Sequence, residues 1–425
     1  MWVSDFVKKT VIWCAALVAA ALMATGCTSR SASSPGAPAS GVPVALTLSG
    51  SAAMASIRIG IVMPPVQGEG SQYRDAAEGA EVAVYRFGLS GAKVTLVAAQ
   101  DGGTAAGLRA AVNSLVSQSV SGIVVATAGP HVDDVLPTLH VDVPLVLPYD
   151  APASLPLNVW TTGPSQTGVA AGLAKALSGS GVSHPFALVQ QGWTLPAGVQ
   201  TAASAQVAPG DPLPAAVMSD ISAGTADSVL IAASAPVQAS LVAALQQGLG
   251  SRQVPVMLTP DALTPAFGAD LAQAGASSSV LITVGDDADD PAAMASGLPG
   301  QQASAFFVAL RLAAGDSSCK TVFGDAPFST VAQSADTASQ DAVVALVRGV
   351  EKAGSLSAQA VTDALPTLDL DQPDDGLAGP ALNFTASSAL PDDDVVPMVA
   401  STQNPGVRPQ VTSGARSLFW FSTQQ

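Results

Sequence analysis

The chain has 425 residues, a length that predicts two or three domains, and 48% of its residues are hydrophobic, which is ample for buried cores. Charged residues make up only 11%, and 32 acidic against 16 basic residues give a formal net charge of -16. Because this balance leaves no basic stripe to neutralise phosphates, it argues against nucleic acid as a partner.

The N-terminus has the pattern of a secretory signal. Lys8 and Lys9 precede an apolar run over residues 11–23, and small residues then lead to Cys27. The run is too short to span a bilayer comfortably. Small residues ending in Gly-Cys resemble a bacterial lipobox, which makes Cys27 the predicted first mature residue and the site of lipid attachment. The alternative is a soluble secreted protein that is cleaved nearby.

The cysteines and the segment after Cys27 fit export to the cell surface. The predicted lipoprotein signal segment is residues 1–27. Cys14 is removed with it and Cys27 would carry the lipid, so Cys319 remains without a partner for an intramolecular disulfide. Residues 28–55 are rich in Ser, Ala, Pro and Gly and are predicted to be a flexible tether that holds the domain off the membrane.

The next block alternates apolar strands with helices. Residues 57–62 form a β-branched run typical of a buried strand, and apolar residues from Tyr73 to Phe87 recur at three- and four-residue steps, which predicts a helix from near Gly70. Further strands are predicted at residues 94–98, 122–126 and 143–147, helices near 108–116 and at 132–139, and a crossing strand at 159–164. The alternation predicts a parallel sheet covered on both faces, with ligands at the carboxyl ends of its strands.

The same rhythm then restarts, and two consecutive blocks predict two lobes. Strands are predicted at residues 185–190, 228–233, 254–258 and 279–284, and helices near 169–177 and at 237–249 and 265–274, while 195–214 is Pro- and Gly-rich and stays unassigned. Helices at 303–314, 337–353 and 357–365 and a strand at 379–384 follow. The tail from Thr402 carries an aromatic cluster at 418–421 that either packs on a lobe or stays exposed.

The order of these pieces resembles the type I periplasmic binding proteins, in particular the branched-chain amino acid receptors of ABC importers. The matching landmarks are IRIGIVMP, VTLVAAQDGG, LVSQSVSGIVVAT, VPLVLPYDAP, VWTTGPSQTGVAAGLAKAL, ADSVLIAASAPVQASLVAALQQGL, VPVMLTPDALTP, RGVEKAGSLSAQAVTDALPTLDLDQ and LAGPALNF. They cover roughly residues 56–390 in the family's order, and each landmark alone is weak.

The resemblance implies an α/β fold of two doubly wound parallel-sheet lobes joined by three crossings, with a ligand enclosed by hinge motion. Transferred to this chain, the crossings fall near residues 161–166, 285–290 and 373–379. Lobe 1 is then 56–162 plus 289–373, lobe 2 is 163–288 plus 374–401, and the C-terminal tail is 402–425. Members of this family commonly act as monomers.

The resemblance also places the ligand site. Amino acid receptors hold the ligand's carboxylate and amine with small polar residues after the third and fourth strands, where this chain has the loops 127–131 and 149–151. The implied ligand-binding residues there are Thr127, Gly129, Tyr149 and Asp150, and across the cleft they are Trp193, Ser234 and Asp261. Gly129 stands near the family's Ser, and free N–H groups at the following helix start are expected to receive an anion.

Other chemistry finds little support in the sequence. The acidic clusters at residues 286–290, 369–375 and 392–394 suggest calcium, but 369–376 does not fit an EF-hand loop, and solvated loops are the preferred interpretation. Glu69 either reaches the mouth of the cleft or is an ordinary exposed loop acid, which is the preferred interpretation. His131 is interpreted as a residue at a helix start rather than a metal ligand. No common catalytic motif is present, and three histidines leave few bases for a catalytic triad. We predict no metal, no cofactor and no enzyme activity.

The predicted function is that of a lipid-anchored solute-binding protein on the extracytoplasmic face of the cell membrane. It would capture a small polar, amino acid-like solute and deliver it to the permease of an ABC importer. One alternative is an envelope interaction or regulatory protein that keeps the fold without transport. A second is a hydrolase, which would need a nucleophile within hydrogen-bond reach of a histidine.

The lipid attachment is testable. Replacing Cys27→Ala removes the only thiol at the predicted cleavage site, so the protein is expected to lose incorporated palmitate and to leave the membrane fraction. Cys319→Ala is the matched control and should keep both properties. Unchanged labelling in Cys27→Ala would refute the assignment.

Overall fold

The computed structural model describes residues 41–152, 154–276, 280–401, 404–409 and 420–423. The predicted signal peptide, Cys27 and the first part of the predicted tether lie outside these ranges. The described residues from 42 onward belong to one compact unit. In that described part, no helix combines the length and apolar character needed to cross a membrane.

Lobe 1 begins with a parallel five-stranded sheet in the order β2-β1-β3-β4-β5. Ile57, Ile59 and Ile61 of its central strand are fully buried, as expected where helices cover both faces of a sheet. The elements are β1 Ser56–Met63, α1 Gly79–Gly88, β2 Lys93–Gln100, α2 Ala105–Ser117, β3 Gly122–Val125, α3 Pro130–Val135, β4 Leu145–Leu147 and β5 Val159–Thr161.

Lobe 2 repeats this arrangement on a second sheet, in the order β14-β13-β10-β9-β8-β6-β7. The strands β6 to β10 are parallel, and the two edge strands from the end of the chain are antiparallel. The elements are α4 Gln166–Gly179, β6 Pro185–Gln190, β7 Ala203–Val207, α5 Ala215–Ala223, β8 Ser228–Ala232, α6 Ala235–Leu249, β9 Val256–Leu258, α7 Pro265–Gln273 and β10 Leu281–Gly285.

The chain then returns to lobe 1 and ends in lobe 2. Helix α9 packs on α1 and on strands β1 and β3 of lobe 1. Its first turn is capped by Asp336, whose carboxylate accepts a hydrogen bond from Ser339 N at 3.0 Å. The elements are α8 Leu298–Gly315, α9 Thr337–Ala353, α10 Ala358–Ala364, β11 Asp369–Leu370, β12 Leu382–Asn383, β13 Val396–Ser401 and β14 Trp420–Ser422.

The first predicted helix differs from the observed structure. Instead of one helix from near Gly70, two short 3-10 turns cover residues 71–73 and 76–78, and α1 starts only at Gly79. The observed turns bring Tyr73 to lobe 2, where its hydroxyl is hydrogen-bonded. Gly79 then packs against the chain before α9, since a Cβ there would lie 1.9 Å from Asp336 O.

Residues 42–55, assigned above to the flexible tether, instead pack on lobe 1. Leu46 is fully buried, and its N–H donates to Arg86 O at 3.0 Å. The buried Arg86 side chain donates to the carbonyls of Val44 at 3.1 Å and of Pro43 at 3.1 Å. The segment is rich in small residues, and this composition predicts flexibility. Its order comes from Leu46 and from the main-chain carbonyls of Pro43 and Val44, whose partners lie 40 or more residues away in the sequence.

The chain leaves lobe 1 after β5, which ends at Thr161, and leaves lobe 2 after β10, which ends at Gly285, but it returns to lobe 2 later than residues 373–379. Residues 374–384, assigned above to lobe 2, belong to lobe 1, because β12 pairs with β11 and Ala378 N donates to Asp341 of α9 at 2.8 Å. The crossing runs instead through residues 385–395, beside the first one. There Ala389 N donates to Thr161 O at 2.8 Å.

The C-terminal tail is part of the fold in its described portions. Strand β14 pairs with β13, and Trp420 and Phe421 are buried, so this end of the aromatic cluster packs on lobe 2. Between these strands, residues 404–409 lie on lobe 1, where Arg408 donates to Ala335 O at 2.7 Å. The chain therefore contacts lobe 1 once more after the third crossing.

The packing of residues 42–55 is open to a stability test. Replacing Leu46→Ala removes a fully buried side chain and is expected to lower the free energy of unfolding by about 2–4 kcal/mol, measured by urea denaturation. Leu157→Ala is the control, because Leu157 is 99% exposed and should change stability by no more than about 0.5 kcal/mol. Equal stability of the two variants would support the original prediction that the flexible tether extends to residue 55.

Candidate ligand-binding cleft

A cavity of about 320 Å³ lies between the lobes at the carboxyl ends of their strands. Lobe 1 contributes the loops that follow β1, β3 and β4, and lobe 2 contributes the loops that follow β6 and β9. The volume falls within the range of small-molecule pockets. Both lobes therefore line the same cavity.

Two tyrosines form the aromatic wall on lobe 1. The rings of Tyr73 and Tyr149 stack with their centroids 4.4 Å apart and their planes 15° apart. The Tyr149 hydroxyl is buried and has no hydrogen-bond partner of good geometry among the described residues. On lobe 2, Trp193 lines the same cavity from the turn after β6.

The lobes are joined directly across the cleft. The Tyr73 hydroxyl of lobe 1 donates to Asp261 Oδ1 of lobe 2 at 2.7 Å, and both side chains are buried. Beside this bond, Gly192 of lobe 2 approaches Pro130 of lobe 1 so closely that a Cβ would lie 3.3 Å from the proline ring. These contacts describe a closed arrangement of the lobes.

The start of helix α3 does not offer the free N–H groups that the sequence led us to expect. Gly129 N donates to Asp150 Oδ2 at 3.0 Å, and His131 N donates to Glu69 Oε1 at 2.9 Å. Pro130 has no N–H, and the next two donors are bound to Gly129 O. The prediction of an anion site here is wrong, because the chain's own carboxylates occupy the donors.

His131 is held between two carboxylates. Its Nδ1 lies 2.7 Å from Glu69 Oε1 and its Nε2 lies 2.9 Å from Asp101 Oδ2. Burial lowers the pKa of His131, but the hydrogen bonds to Asp101 and Glu69 outweigh it and hold the pKa above its ordinary value. Glu69 is exposed, as the sequence predicts, but its carboxylate is held by His131.

The described wall of the cavity is strongly acidic. It carries a single arginine and seven aspartates, which are Asp133, Asp150, Asp261, Asp286, Asp289, Asp290 and Asp336. Burial, followed by the charge of Asp133, raises the pKa of Asp150 to about 7. Burial likewise raises the pKa of Asp261, Asp286 and Asp336 to about 6 each. Each of these groups would be stabilised in its charged form by a nearby cation.

The arginine, Arg408, is already neutralised. Its guanidinium contacts both carboxylate oxygens of Asp290, at 2.9 Å and 2.8 Å from Nε, and also donates to Ala335 O. The face of Phe307 lies 5.4 Å from the guanidinium carbon. The cluster at residues 286–290 is therefore not a solvated loop, because Arg408 compensates its buried charges.

The structure brings five of the seven predicted ligand-binding residues to the cavity. Gly129, Tyr149, Asp150, Trp193 and Asp261 line it. The other two lie behind the wall: Thr127 is fully buried with Oγ1 3.4 Å from His131 Nε2, and Ser234 donates to Gln190 Oε1 at 2.9 Å.

Sequence reasoning missed three wall residues. Tyr73 was placed on a helix face and Asp336 was not considered, although an Asp directly before a helix is a recognisable cap. No local signal marks Arg408, since its partner Asp290 lies 118 positions away.

The three histidines offer no catalytic base of the triad type. Both nitrogens of His131 face carboxylates. His184 contacts Ser183 Oγ at 2.8 Å and Asp227 at 3.6 Å through the same nitrogen, Nδ1, whereas a triad uses opposite nitrogens. His140 is exposed. Within the described ranges, no group of three or more acidic, His or Cys side chains is arranged to hold a metal ion.

Comparison with known proteins supports the fold. No protein-family model and no curated protein sequence matches the chain. Solved structures do match. One is LivJ from Streptococcus pneumoniae, a branched-chain amino acid transporter substrate-binding protein in complex with isoleucine. It superposes with a TM-score of 0.60 at 16% identity and covers 84% of this chain and 98% of its own.

Two further structures agree. A solute-binding protein of an ABC transporter from R. palustris, in complex with 4-hydroxybenzoate, has a TM-score of 0.61 at 16% identity and covers 86% of this chain and 97% of its own. The leucine-binding protein LivK from Thermotoga maritima has a TM-score of 0.60 at 15% identity, over 86% and 98%. The chain has the type I periplasmic binding protein fold, as the sequence landmarks predict.

The cross-cleft hydrogen bond can be tested by opening the lobes. Tyr73→Phe removes the hydroxyl that donates to Asp261. The closed form is expected to be destabilised by about 1–2 kcal/mol, because the carboxylate of Asp261 loses a hydrogen-bond donor. Small-angle X-ray scattering at pH 8 should then give a larger radius of gyration than for the unmodified chain. The control is Tyr85→Phe, on α1 away from the cavity. Superimposable scattering of the two variants would contradict the role assigned to this bond.

Proposed function

We propose that this chain is an extracytoplasmic solute-binding protein that captures a small polar solute between its lobes and presents the closed form to the permease of an ABC importer. The observation that carries the proposal is the cavity of about 320 Å³ between the lobes, which is walled by polar and aromatic side chains from both of them. A ligand that contacts both walls has greater affinity for the closed form and so shifts the lobes toward it.

The two-sided wall supports this function over the alternatives. A protein that kept the fold only as an envelope scaffold has no need of polar groups that converge on a cavity, yet Asp150 of lobe 1 and Asp261 of lobe 2 both line it. The hydrolase alternative lacks a suitably placed histidine. We therefore infer that the ligand is bound without chemical change.

The proposal includes the membrane anchor. Lipid attachment at Cys27 would hold the domain at the extracytoplasmic face, near the permease. Because residues 42–55 pack on lobe 1, the proposed tether is shorter than the sequence suggested and comprises residues 28–41 at most. The protein is proposed to act as a monomer.

Solute capture is tested by a thermal-shift screen of the chain produced without residues 1–27. The library should contain amino acids, amides, amines, short peptides, sugars and aromatic acids. A ligand at 100 times its dissociation constant is expected to stabilise the folded chain by about 2.7 kcal/mol, which raises the melting temperature by several degrees.

Variants locate the binding site of any compound that stabilises the chain. Trp193→Ala and Asp150→Asn should weaken its binding, whereas Asp142→Asn, at an exposed position away from the cleft, should leave it unchanged. A folded protein that no compound stabilises would favour the envelope interaction protein instead.

A further inference from the structure

The main-chain donors at the start of α3, which could bind an anionic ligand, are already occupied, and this is the first reason why the cleft favours one charge class of ligand. Every main-chain donor in the first turn of α3 is taken, by Asp150, by Glu69 or by Gly129 O. Gly129 has a φ of +125°, and a Cβ there would lie 2.7 Å from Glu69 Oε1, so the backbone is shaped around that carboxylate. A ligand carboxylate finds no vacant donor at this position.

The charges on the walls give the second reason. Arg408 is the one cationic side chain among the described wall residues, and it is bound to Asp290 and to two main-chain carbonyls. Asp150 and Asp336 face the cavity from lobe 1, and Asp261 faces it from lobe 2. An anionic ligand placed among them would be repelled by these like charges.

The aromatic groups give a third, independent reason. Tyr73, Tyr149 and Trp193 line the cavity, and aromatic rings attract cations more strongly where water is excluded. The Tyr149 hydroxyl is buried beside the carboxyl group of Asp336, so the aromatic wall lies next to an acidic side chain.

From these observations, and resting on the solute-capture function above, we propose that the ligand is an organic cation, a protonated amine that carries no carboxylate of its own. Its ammonium group would be shared between the carboxylates of Asp150 and Asp336 on lobe 1 and Asp261 on lobe 2. Because each lobe supplies part of the negative charge, the cation is bound best when the lobes are closed.

This ligand class predicts a pH dependence with a definite sign. In the free chain the pKa of Asp150 is about 7, and those of Asp261 and Asp336 are about 6. A bound cation favours the charged carboxylates and lowers these pKa values, so binding releases protons below pH 7. Affinity should therefore rise from pH 5.5 to pH 8 and level off above it.

The test compares two molecules that differ by one carboxylate, 1,5-diaminopentane and lysine. Isothermal titration calorimetry of the chain without residues 1–27 should show the diamine binding at least tenfold more tightly than lysine at pH 8. The diamine should also bind roughly tenfold more tightly at pH 8 than at pH 6. Repeating the titration in buffers of different ionisation enthalpy reports the released protons directly and needs no variant.

Variants place the cation in the cleft. Asp150→Asn and Asp261→Asn should each weaken diamine binding tenfold or more and reduce its pH dependence, whereas Asp142→Asn should alter neither. Circular dichroism and thermal melts establish that each variant is folded. Equal loss in the Asp142→Asn control, or no loss in the two cleft variants, would overturn the proposal.

The outcomes separate this inference from the proposed function. Binding of lysine, leucine, 4-hydroxybenzoate or glucose without binding of the diamine or of n-butylamine would leave solute capture standing and overturn the cationic ligand. Failure of every compound in the wider screen would overturn both proposals.

Discussion

The contact on which the cleft wall of lobe 1 depends is His131 held between Glu69 and Asp101. These residues come from the loops after β1, β2 and β3, so one imidazole joins the ends of three neighbouring strands. Because both ring nitrogens face carboxylates, the hydrogen bonds to Asp101 and Glu69 outweigh burial and raise the pKa of His131, which favours its charged form. The same Glu69 oxygen also accepts His131 N, which fixes the start of α3 and, through Gly129, the position of Asp150.

The electrostatic arrangement of the cleft follows from this contact. Once Glu69 and Asp150 occupy the α3 donors, the cavity has lost its local source of positive potential, and the remaining aspartates raise one another's pKa values. Such a group of buried like charges weakens the folded chain unless protons, an arginine or a ligand compensates it. Arg408 compensates the end of the cavity near Asp290.

The fold was largely predictable because alternating buried strands and amphipathic helices leave a strong local pattern. The differences arise where a distant contact overrides local preference. Leu46 is buried against lobe 1, although the Ser- and Ala-rich sequence around it predicts an exposed segment. Tyr73 lies in a 3-10 turn, which brings its hydroxyl to Asp261.

The candidate site was predicted less completely than the fold. Strand ends indicate which loops meet, and this placed five of the seven residues on the cavity. Side-chain direction within a loop depends on its hydrogen bonds, which turned Thr127 toward His131 and Ser234 toward Gln190. The sequence also could not show that the N–H groups at the start of α3 are occupied. Their acceptors are the carboxylates of Glu69 and Asp150, which lie on other loops at the same edge of the sheet.

The return of the chain to lobe 1 after β13 sets a mechanical limit on hinge opening. Ser401 ends a strand of lobe 2, whereas Val407 packs beside Phe307 and its neighbours in lobe 1. At about 3.5 Å per residue, the chain between them can extend to no more than about 21 Å. While Val407 and Arg408 stay in place, this length limits how far these two points of the lobes can move apart, whatever the freedom of the three crossings themselves.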